Sequence, residues 1–131
     1  MADLGEWLSE QGARRREPGI WDCCAMPAEW AVACGRPDPM ARWRGTYGTD
    51  AEAEERITEA GGLTALFAMG MEDAGIREVS DPQAGDIGVI MIGGEEAGAV
   101  FTGRRWAFVP GGRGLAIGSV DPASIIRIWR P

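Results

Sequence analysis

An α+β fold, with N-terminal helices packed on a small antiparallel and partly barrel-like sheet, is predicted by three observations. The first half of the chain carries helix punctuation, with a start signal at Thr49-Asp50-Ala51-Glu52 and a stop at Gly61-Gly62. From Ala84 the pattern changes to short apolar runs divided by glycine, which reads as strands and tight turns. Helices first and strands second is the order of an α+β domain. The 131 residues, 45% of them hydrophobic, suffice for one core and not for two, so residues 1–131 are read as a single domain with 1–18 as a peripheral helical segment.

Residues 3–16 predict an amphipathic helix with Leu4, Trp7 and Leu8 on one face. Arg14-Arg15-Arg16 would close it, complementing the helix dipole while remaining solvated. Pro18-Gly19 breaks it. Asp22 can cap a second helix running through Ala33, which places Cys23 in the first turn. Pro27 allows another start, at Pro27 itself, with both Cys23 and Cys24 left in the preceding turn. Residues 35–48 form a long loop rich in Gly, Pro and Arg, whose length implies a specific packing role. A helix is expected over 50–60, and a short one from Leu63 to Met69. Strands are expected at 87–92, 97–102, 105–109, 115–118 and 125–129, with turns at Gly93-Gly94 and Gly111-Gly112.

Charge and composition exclude several functions. A net charge of −7 opposes attraction to phosphate backbones and anionic lipid, so no nucleic-acid partner is expected. No stretch approaches a membrane span, and the N-terminus has neither a basic region nor an apolar one, so the chain is expected to begin in the cytoplasm. Three cysteines, two of them adjacent, do not suit a secreted disulfide framework, and Cys34 reads as a small buried hydrophobe. The glycine pairs are not phosphate loops, since the chain has no lysine. The acidic run Asp50, Glu52, Glu54 and Glu55 reads as a solvated helix start rather than a metal site. No cofactor or metal is expected.

Cys23 is the candidate nucleophile. A thiol in the first helical turn meets free amides and the positive end of the dipole, which favour the thiolate. Against that role, the preferred reading is a Cys23 packed beneath Trp21 and Trp30. The chain contains no histidine and no asparagine, so a Cys-His-Asn constellation lacks two of its three members. A disulfide between Cys23 and Cys24 would require a strained ring.

Asp22-Cys23 at a helix start, Gly85-Asp86-Ile87 opening a strand and Ala97-Gly98-Ala99-Val100 in the next resemble the NlpC-type papain-like cysteine peptidases, which cut peptide bonds in peptidoglycan. Over residues 19–131 the chain is similar to a family of small phage and prophage proteins, through Trp21-Asp22-Cys23, Trp30, Asp38-Pro39, Arg44-Gly45-Thr46-Tyr47, Gly61-Gly62-Leu63, Gly85-Asp86, Gly114-Leu115 and Ile128-Trp129-Arg130. The resemblance implies an NlpC-like fold, a gene among tail genes and a virion or tail-assembly role.

In those peptidases the catalytic histidine stands two residues before the glycine that Gly98 matches, which places Glu96 there. Near Cys23 a carboxylate would disfavour the thiolate, and with partial burial it is expected to outweigh the first-turn effect and raise the thiol pKa. At neutral pH it could not protonate a leaving amine. The expectation is therefore a tail structural or assembly protein on a degenerate peptidase scaffold, contacting hub, tip or tape-measure proteins, first in the host cytoplasm and then in the virion tail. Arg42, Trp43 and Arg44 are the candidate anchors, because recognition is often placed on a long loop over a rigid scaffold. Two alternatives remain: a peptidase or amidase completed by another chain's histidine, and a cell-wall-binding module that stacks sugar or stem peptide on Trp21, Trp30 and Trp43.

Overall fold

A computed structural model describes residues 2–131 and comprises four α-helices and six strands. Helix α1 (Leu4–Gln11) starts where the Asp3 carboxylate accepts the Glu6 amide, and its last residue, Gln11, is five short of the expected limit. Arg14, Arg15 and Arg16 therefore lie beyond the helix, and two of them have partners rather than solvent. Arg14 stacks 4.0 Å from the Trp21 ring and pairs with Glu29, while Arg16 pairs with Asp50. The segment is also more than peripheral. Leu8 is buried, and the Trp7 ring lies 6.0 Å from Trp21 and 5.4 Å from Trp30.

Helix α2 (Ala25–Ala33) starts between the two expected points. Pro27 falls in its first turn, where its missing amide has no intrahelical partner to lose. Helix α3 (Asp50–Ala60) has its Thr49 cap and ends at Gly61 in the left-handed conformation, as its sequence requires. Helix α4 (Leu63–Ala74) runs five residues past Met69, through Gly70. A β-carbon at Gly70 would overlap the Pro39 carbonyl, so this glycine admits the loop instead of ending the helix.

The strands are β1 (Arg77–Val79), β2 (Ile87–Ile92), β3 (Glu95–Phe101), β4 (Trp106–Phe108), β5 (Ala116–Gly118) and β6 (Ile125–Arg130). They form one antiparallel sheet in the order β1-β6-β2-β3-β4-β5. The sheet is not closed into a barrel. Short β1 carries no alternation of apolar residues that would predict it from sequence; its pairing with β6 creates it. A register shift between Val89 and Ile90 bends β2 against β6.

Alternation along β2 and β3 divides the apolar residues between two faces. Ile87, Val89 and Val100 pack with α2 and α4 in the main core, beside Met26, Leu66, Phe67 and Met71. Ile90, Ala99 and Trp106 form a smaller cluster with Phe101, Val120 and Ile125 on the other side. Gly88 leaves room for the Trp106 ring, whose atoms would stand 2.8 Å from a β-carbon there. Among the described residues no helix is long and apolar enough to cross a membrane.

Candidate functional site

The approach to α2 is organised by Asp22. Its carboxylate is 5% exposed and accepts four hydrogen bonds: from the amides of Cys24 (2.9 Å), Ala25 (2.7 Å) and Gly19 (2.8 Å), and from the Tyr47 hydroxyl (2.7 Å). The Asp22 carbonyl also accepts the Met26 amide. The helix-start amides that would stabilise a thiolate are thus occupied by a carboxylate, and Cys23 sits in the turn before the helix.

Cys23 is half-buried, and Cys24 is buried. The neighbouring Cys24 thiol holds the Cys23 pKa below the usual thiol range, with help from the Gly98 amide and from Arg16, against desolvation and Asp22. The sequence-based expectation of a raised value is corrected by these neighbours. Cys24 shifts the other way, upward, through its closeness to Cys23 and its burial in the core. Gly98 is essential to this contact, since a β-carbon there would overlap the Cys23 carbonyl and the Phe67 ring.

Glu96 pairs with Met91 across β2 and β3, two residues along the strand from Gly98. Its carboxylate accepts a hydrogen bond from Thr64 in the first turn of α4 and so ties β3 to that helix. The charges acting on Cys23 come instead from Asp22 and Arg16.

Cys23 and Cys24 open onto a cleft of about 210 Å³, walled by Pro18, Met40 and Trp43 on one side and by α3 on the other. Arg16, Tyr47, Asp50, Glu54 and Arg56 supply its polar lining. Arg56 binds Glu55 and Glu59 through one terminal nitrogen, while its buried Nε has no partner. Burial, followed by the Asp22 charge, pushes the Tyr47 phenol far above its ordinary pKa, so it remains a donor.

The other expected site residues have structural partners. Trp43 is 6% exposed and packs over Gly70, Arg44 pairs with Asp38 inside the loop at 2.9 Å, and Arg42 makes a bidentate pair with Asp73 of α4 at 2.8 Å. Loop 35–48 is therefore locked to the body, and Trp43 is a core residue rather than a surface anchor. Trp21 and Trp30 are buried too, with their indole N–H groups given to the carbonyls of Gly114 and Gly85. Of the tryptophans offered for sugar stacking, Trp21 and Trp30 are buried, and Trp43 is 6% exposed and lines the cleft.

Gly85-Asp86, part of the peptidase likeness, has a structural role as well. Asp86 is 1% exposed and accepts from the Gln83 amide and twice from Arg130. Arg16, Cys24 and Arg56 were absent from the site predicted by sequence. Cys24 alone had a local signal, its adjacency to Cys23; the arginines reach the cleft from elements 7 and 33 residues away.

The fold and site define a small α+β protein with a half-buried cysteine at the floor of a cleft. The whole chain, residues 1–131, matches the family model described as Domain of unknown function (DUF6950), and the chain belongs to that family. No curated protein and no solved structure matches it.

Proposed function

We propose that this protein is a structural or assembly component of a phage tail, built on a degenerate cysteine-peptidase scaffold that does not turn over substrate. The setting of Cys23 carries the non-catalytic part. Amide hydrolysis needs a group that removes the thiol proton and returns one to the departing amine. The chain has no histidine, Glu96 is bound to Thr64, and Tyr47 is held protonated by burial and by Asp22. General acid and base assistance supplies about 10²–10⁴ in rate, so its loss leaves little of a peptidase.

The tail role rests on the likeness of residues 19–131 to small phage proteins encoded among tail genes. What supports a scaffold role is the use of the motif residues: Asp22, Tyr47, Gly85, Asp86 and Arg130 all serve internal contacts. Hub, tip and tape-measure proteins are the partners, met in the host cytoplasm and retained in the virion.

Cross-linking of purified particles, followed by mass spectrometry, tests this directly. Reproducible cross-links to tail proteins are expected, together with no release of product from peptidoglycan stem peptides, whether or not tail proteins are added. Cys23-dependent turnover, or absence of the chain from particles and tail intermediates alike, overturns the proposal.

A further inference from the structure

We propose that the β5 edge of the sheet is a self-association surface, where a second copy of this chain adds its own β5 in antiparallel register about a two-fold axis through Ile117. This surface shares no residue with the Cys23 cleft, and its use does not depend on a tail role. An open sheet edge is a row of backbone donors and acceptors that a further strand can satisfy. Two identical strands pair in this way when their residue pattern complements itself.

The edge is both unpaired and apolar. β5 ends the sheet with β4 as its one neighbour, and among the described residues the backbone of residues 115–120 makes no hydrogen bond outside that pairing. Its central side chain, Ile117, is 49% exposed. Leu115 and Ile117 share one face of the strand and line an open hollow with Leu8 of α1, so apolar surface continues from the edge onto the helix. Within the strand, Ala116-Ile117-Gly118 has no charge, no proline and no bulge, the devices by which edges are kept apart.

Charge selects a second copy as the occupant. Arg113 stands four residues before Ile117 and Asp121 four residues after it, and both are exposed. Neither has an ion-pair partner among the described residues, and the Asp121 carboxylate accepts one hydrogen bond, from the Ala123 amide. A two-fold axis through Ile117 therefore sets each Arg113 toward the partner's Asp121, and the two isoleucines become a cross-strand pair on one face. The opposite edge lacks this complementarity: β1 is Arg77-Glu78-Val79, and the same symmetry about its centre would set two Glu78 carboxylates against each other. A strand of three residues buries little area, so the β5 dimer dissociates on dilution.

Sedimentation equilibrium of the reduced full chain, from low micromolar to near-millimolar concentration, tests the pairing. A reversible equilibrium between monomer and dimer is expected. Ile117→Lys should weaken it by about tenfold or more, because two ammonium groups then meet at the axis in place of an apolar pair. Arg113→Glu and Asp121→Arg should each weaken it by setting like charges together. An equimolar mixture of those two variants should regain the dimer, since every facing pair in the mixed dimer is again opposite in sign. Ile117→Lys and Arg113→Glu should melt like wild type, because both side chains are exposed. Asp121→Arg also alters the cap at Ala123, and recovery on mixing shows that it is folded. A chain that stays monomeric at every concentration overturns the proposal and leaves the edge to a strand of another protein. It is equally overturned by a dimer indifferent to Ile117→Lys, or by a mixture that remains monomeric while both variants melt cooperatively.

Discussion

Asp22 joins three stretches of chain that are distant in sequence: the turn at Gly19, the start of α2, and Tyr47 at the end of the long loop. Its capping role was legible because acidic residues before a helix accept its free amides. Its bond to Tyr47, 25 residues on, was not, since no local pattern encodes a tertiary contact. Tyr47→Phe should therefore lower stability at neutral pH by about 2 kcal/mol, as expected for a hydrogen bond to a buried carboxylate. The pH dependence has a definite sign. The folded state retains the Tyr47 proton above the pH, about 10, at which an unfolded tyrosine releases it. Unfolding then binds fewer protons than folding, and the stability that Tyr47 contributes is complete below pH 10 and declines above it. Denaturation of both proteins across this range should show the gap between wild type and Tyr47→Phe closing as pH rises past 10. A constant gap would mean that the phenol is not held neutral by the fold.

At the scale of elements, one difference between sequence and structure turns on a glycine with a spatial role. Gly61 ends α3 as expected, because its left-handed conformation is a local property. Gly70 reads like another helix breaker, yet α4 continues through it to Ala74 because the Pro39 carbonyl and Trp43 pack against its bare Cα. Loop 35–48 and α4 are thus fitted to one another, with Arg42–Asp73 as an exposed clamp at the edge. In an ordinary helix Gly→Ala stabilises by roughly 0.5–1 kcal/mol. Here the sign should reverse, with Gly70→Ala lowering stability by about 2 kcal/mol through overpacking against the loop backbone. Arg42→Ala should cost less than about 1 kcal/mol, since an exposed ion pair contributes little. Urea midpoints of the two variants decide the matter. A Gly70→Ala protein as stable as wild type would show that the loop yields and is not a fixed wall of the cleft.

Over the whole molecule, the last strand in sequence is interior to the sheet: β6 lies between β1 and β2. β1 has no partner but β6, so a strand with no apolar alternation of its own is formed by that pairing. The motifs Gly85-Asp86 and Ile128-Trp129-Arg130 are one contact. Arg130 donates to both oxygens of Asp86 at 2.9 and 2.8 Å, and to the Asp81 carbonyl, fastening the end of β6 to the turn that opens β2. Asp86 is almost wholly buried while the Arg130 side chain is 27% exposed, so solvent screens the pair from one side only. Removing the guanidinium leaves a buried carboxylate whose side-chain oxygens keep only the Gln83 backbone amide as donor, and Arg130→Ala should destabilise the fold measurably. Arg130→Lys should recover only part of this, because an ammonium cannot reproduce the two-oxygen fork. Asp86→Asn alone should also destabilise, but the double variant Asp86→Asn/Arg130→Ala should be less harmful than the sum, since the second change no longer strands a charge. A denaturation cycle over the four proteins measures that coupling; strict additivity would mean that Asp86 and Arg130 act separately, and that the chain end is held by strand pairing alone.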